Sequence, residues 1–181
     1  NPGKPAWQRW TDSALAADHV AAGSFATAMR LLNRQIGVVN FAPLKPVFLR
    51  VARAAHCQGM GFPGTTPLNQ PILRTESGGK SGLPRICVSL DSLIDRLKVG
   101  KSHFAANRLD ECMQAMLGIL HNIPLVVVSS AAEERDVKEL LSICREYTTA
   151  IRLEQEYKRV LPNDKVRALE ISCYWTHCLL D

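Results

Sequence analysis

A pair of helices joined by a tight turn is written twice in this chain, 84 positions apart. Leu15-Ala16, His19, Gly23, Phe25, Ala28 and Leu32 align with Val99-Gly100, His103, Asn107, Leu109, Cys112 and Met116. In each copy a small residue is followed three positions later by His. A turn residue comes four later, and a small apolar residue five after that. The pattern is steric. Small residues let two helices approach closely, Gly23 and Asn107 accept an unusual backbone angle, and the large apolar residues fill the groove between helices. A chain built from such hairpins more often makes surfaces for other proteins than active sites.

Hydrophobic periodicity extends this into an all-α reading of about seven helices. Thr11 or Asp12 caps a first helix through about Ala22. Ser24 caps a second through Ile36, where Gly37 stops it. Pro43 and Pro46 flank the start of a third, whose stripe is Val47, Phe48, Val51, Ala52 and Ala55 and whose end is near His56. Alternation of Ile86, Val88 and Leu90 suggests a short extended segment. Asp91 or Ser92 then caps a helix carrying Leu93, Ile94, Leu97, Phe104 and Ala105. The second hairpin arm runs from Leu109 to His121, with Met113, Met116, Leu117 and Leu120 inward. Leu125 to Val128 reads as extended or as a buried connector. Ser129 or Ser130 caps a long helix through Val160, with Val137, Leu140, Leu141, Cys144, Tyr147 and Ile151 as its core stripe. Pro162 and Asn163 break it. A last helix carries Val166, Leu169, Cys173, Trp175 and Leu179.

Residues 57–83 differ in kind. Gly59, Gly61, Pro63, Gly64, Pro67, Pro71, Gly78, Gly79 and Gly82 leave few large apolar groups to offset the entropy of ordering, so this stretch reads as a long mobile loop. The chain divides into a helical part at 1–56, this loop, and a second helical part at 84–181. Its net charge of +5 is uneven, because residues 1–56 alone carry that excess. A solvated basic face is the simple reading; an acidic partner, a membrane surface or nucleic acid is the alternative. No apolar run nears the roughly 20 residues a membrane helix needs. No secretory signal is visible, and the lack of an initiator Met reads as a piece of a longer chain. The six cysteines form no tight framework and no CxxC, which fits a reducing, cytosolic setting.

Four places could carry chemistry. Two Gly-Lys-Ser triplets lack the glycine a phosphate loop needs five residues earlier; Arg74 and Asp95 stand there instead. Cys173 and His177 share a helix face, with Cys144 as a third ligand and Cys178 nearby, but no fourth is evident, so no metal site is assigned. His19 and His103 occupy equivalent hairpin positions, which argues for packing rather than catalysis. Trp7-Gln8-Arg9-Trp10 is the one aromatic-basic cluster, and it reads as a terminal anchor rather than an RNA platform. No catalytic, cofactor-binding or metal residue is assigned, and no small-molecule substrate is expected.

The hairpin spacing resembles the tetratricopeptide helix pair, with Pro124 where that repeat usually ends. A longer resemblance is more specific. Residues Asp18 to Leu32, with Pro5-Ala6-Trp7 before them and Gln35-Ile36-Gly37-Val38 after them, resemble the C-terminal region of the coatomer alpha family. Phe41 to Lys45, Val47-Phe48-Leu49, Ile119-Leu120, Ile123 to Val128, Ile143 to Tyr147 and Tyr174 to His177 continue it in order. The resemblance covers nearly everything outside 57–83. It implies a non-enzymatic scaffold module of the COPI vesicle coat, on the cytosolic face of Golgi membranes and vesicles. Golgi-to-ER and intra-Golgi traffic follow as its setting. It further implies pairing with the coatomer epsilon subunit and other coatomer subunits, with dilysine cargo read elsewhere, by propeller domains. The family continues past the Tyr-x-Thr-His block, so the resemblance also implies that epsilon binding is weakened or lost in a chain stopping at Asp181. Trp7, Trp10, Tyr157 and Trp175 are the candidate surface anchors. The competing reading is a helical-repeat adaptor outside the coat, using its basic N-terminal third on acidic lipid or RNA.

Overall fold

The computed structural model describes residues 11–58, 63–64, 69–71 and 88–180. Seven α-helices occur among them: α1 (Ala16–Ala21), α2 (Phe25–Ile36), α3 (Lys45–Ala55), α4 (Leu90–Ala105), α5 (Leu109–Asn122), α6 (Ala131–Val160) and α7 (Lys165–Trp175). Single 3-10 turns at Ala42–Leu44 and Ile123–Leu125 precede α3 and follow α5. The one departure from an all-α fold among the described residues is a short antiparallel pair, β1 (His56–Gln58) and β2 (Asn69–Pro71), with His56 opposite Pro71. This pair lies almost wholly inside the stretch expected to be a loop. Most of the rest of that stretch, including Gly79-Lys80-Ser81, is outside the described residues, as are Trp7 and Trp10.

The chain forms two compact units, residues 1–89 with Pro124–Val127, and residues 90–123 with 128–181. In the first, α1 packs against both α2 and α3. Its core is Ala16, His19 and Val20 of α1, Ala28 and Leu32 of α2, and Val47, Phe48, Ala52 and Ala55 of α3, with Leu44 and Leu125. Phe25 stacks on Phe48 at 6.1 Å. In the second unit each helix packs on the next, from α4 to α7, and α4 also meets α6. Leu93, Gly100, Cys112, Met116, Ile119, Leu140, Cys144, Tyr147, Ala150, Ile151, Ala168 and Ile171 are buried there. Phe104 meets Tyr147 edge to face at 5.1 Å.

Several helix starts differ from the sequence reading. The helix that ends at Ala21 starts at Ala16 rather than at Thr11 or Asp12. The Ser13 hydroxyl accepts the Leu15 amide and donates to the Asp18 carboxylate, just before this helix starts. Leu90 opens α4 instead of ending a strand, so Asp91 and Ser92 lie in the first turn. Ile86 is outside the described residues. Leu125 is buried while Val126 and Val127 are half-buried, so that stretch is a connector rather than a strand. Leu141, expected in the core stripe of α6, is exposed. Ser130 caps α6 as expected, accepting the Glu133 amide while Glu133 accepts the Ser129 amide. Asp164 caps α7 by accepting the Arg167 amide.

Candidate functional site

The two hairpin turns have the same hydrogen-bond pattern. Gly23 donates to the Val20 carbonyl at 3.0 Å and Ser24 to that of His19 at 2.8 Å. Asn107 donates to the Phe104 carbonyl at 2.9 Å and Arg108 to that of His103 at 2.9 Å. These are paired Schellman closures, and both need a left-handed residue, met by Gly23 at φ 79° and Asn107 at φ 57°. Of the other aligned positions, the histidines aside, Leu15 and Val99 are exposed, Phe25 and Leu109 half-buried, and the rest interior. Ala16, Ala28 and Leu32 are buried in one hairpin, and Gly100, Cys112 and Met116 in the other.

The two histidines belong to this packing. His19 is buried, and its Nε2 donates to the Ser13 carbonyl at 2.8 Å. His103 is half-buried at the matching position. The second Gly-Lys-Ser triplet is interior to α4, with Gly100 held against Met116, so it wraps nothing. Among the described residues no three His, Cys, Asp or Glu side chains gather as metal ligands. Cys144 is fully buried, whereas Cys173 and His177 are exposed, so that set is dispersed. Burial, and secondarily the neighbouring Cys112, push the Cys144 thiol up to about 11. It is therefore protonated near neutral pH and is not a nucleophile. Burial likewise raises Cys112, and burial followed by the Glu146 carboxylate raises Cys178.

The feature best suited to function is α7. Of the residues expected on the last helix, Val166, Leu169, Cys173, Trp175 and Leu179, none is fully buried, and Leu179 lies beyond its end at Trp175. Ala168 and Ile171 face α6, while Val166, Leu169 and Leu179 stand 72%, 66% and 78% exposed. Trp175 is 37% exposed. Between α6 and α7 runs an apolar groove of about 360 Å³, walled by Leu153, Tyr157, Ile171, Cys173 and Trp175. Two of the four candidate anchors, Tyr157 and Trp175, thus meet in one groove. The sequence carries a signal for this that a single-stripe reading misses. α7 is apolar on two sides, Ala168-Ile171-Trp175 and Val166-Leu169-Cys173, and a helix apolar on both sides has two surfaces to bury. On the buried side, Ala168 lets the helix axes approach.

A family model for the C-terminus of the coatomer (COPI) alpha subunit matches residues 1–181. Coatomer subunit alpha-2 of Arabidopsis thaliana is 41% identical over 183 residues, covering 98% of this chain and 15% of its own length. Coatomer subunit alpha-3 of Oryza sativa subsp. japonica is 40% identical over 185 residues, covering 99% of this chain and 15% of its own. Coatomer subunit alpha of Dictyostelium discoideum is 37% identical over 182 residues, covering 97% of this chain and 14% of its own. The chain spans about 15% of the length of such relatives. With the match running through every element described above, the chain belongs to the family defined by the C-terminus of the coatomer (COPI) alpha subunit.

Proposed function

We propose that this chain is a non-enzymatic scaffold region of a COPI coat, working at the cytosolic face of Golgi membranes and vesicles in Golgi-to-ER and intra-Golgi transport. Its principal partner is the coatomer epsilon subunit. The family match supplies the setting. The observation that carries the scaffold reading is the outward apolar face of α7, beside the groove lined by Tyr157 and Trp175. Apolar side chains held on a rigid helix suit binding by a partner helix or extended segment, with the energy concentrated in a few buried anchors. No arrangement of nucleophile, base and oxyanion donors competes with that reading among the described residues.

Light-scattering chromatography of the chain mixed with the epsilon subunit, at low and high salt, tests the proposal. Apolar packing predicts a 1:1 complex that persists at high salt. Absence of a complex at both salt concentrations counts against an epsilon-binding surface within residues 1–181.

A further inference from the structure

We draw no further inference here: the strongest candidate, the exposed apolar side of α7 beside its groove against α6, belongs to the docking surface already described, and nothing in the structure shows what else covers it.

Discussion

A Cβ placed on Gly100 would lie 2.8 Å from the ε-methyl of Met116, which is itself fully buried. The two helices α4 and α5 are in contact here because one residue has no side chain and its neighbour is long and flexible. The first hairpin fills the equivalent positions with Ala16 and Leu32, both buried. The repeats thus keep the same arrangement while exchanging bulk between two positions.

That relationship predicts a coupled pair of substitutions. Gly100→Ala gains helix propensity of about 1 kcal/mol, yet it forces Met116 to move in a filled core, at about 1–3 kcal/mol. The net expected change is a destabilisation of about 1 kcal/mol. Adding Met116→Leu reproduces the residues of the first hairpin and should recover most of the loss. A double-mutant cycle by urea denaturation measures the coupling. Additive effects would show that the 2.8 Å approach does not limit the packing.

The turn residues make a separate prediction. Asn107 sits at φ 57°, so Asn107→Gly should be close to neutral, while Asn107→Val should cost about 1–2 kcal/mol. Gly23→Ala should cost about 1 kcal/mol, from conformation alone, since a Cβ there meets His56 at an ordinary 3.8 Å. Thermal melting of the three variants distinguishes these effects.

Stability should fall in mild alkali through Cys144. Its thiol is pushed from the ordinary value of 9.0 up to about 11, chiefly by burial. Between those values the unfolded chain has released the proton and the folded chain has not, so unfolding releases a proton and rising pH favours it. The stabilising contribution is complete below about pH 9 and is lost as pH approaches 11. Cys144→Ala should flatten the stability profile across that window, whatever its effect at pH 7. In native protein at pH 8, a thiol reagent should label exposed Cys173 and spare Cys112 and Cys144. Labelling of all three at equal rates would contradict the burial.

The two sides of α7 should separate folding from binding. Ile171→Ala removes a buried side chain against α6 and should cost about 2–4 kcal/mol. Leu169→Asp lies on the exposed side and should leave the melting temperature nearly unchanged while weakening the epsilon complex at least tenfold. If Leu169→Asp bound epsilon normally, the outward face of α7 would not be the docking surface.

The elements legible in the sequence were those specified locally. Ser130, Gly23, Gly37 and Asn107 mark helix ends because capping and left-handed backbone depend on a few adjacent residues. The 84-residue repeat read correctly for the same reason, since a Schellman turn and its flanking small residues lie within one short segment. Ala28, Leu32, Cys112 and Met116 all proved interior. Tertiary structure decided what periodicity left equivalent. α7 offers two apolar stripes, and packing against α6 buried Ala168 and Ile171 rather than Val166 and Leu169. A small residue such as Ala168 at the contact lets the helix axes approach, a requirement that hydrophobicity along one segment does not contain. The pairing of β1 with β2 likewise joins residues distant in the chain through backbone hydrogen bonds, which composition rich in glycine and proline does not reveal. The sequence by itself determined most helices, their turns and the family; the tertiary structure alone determined which face of α7 was left exposed.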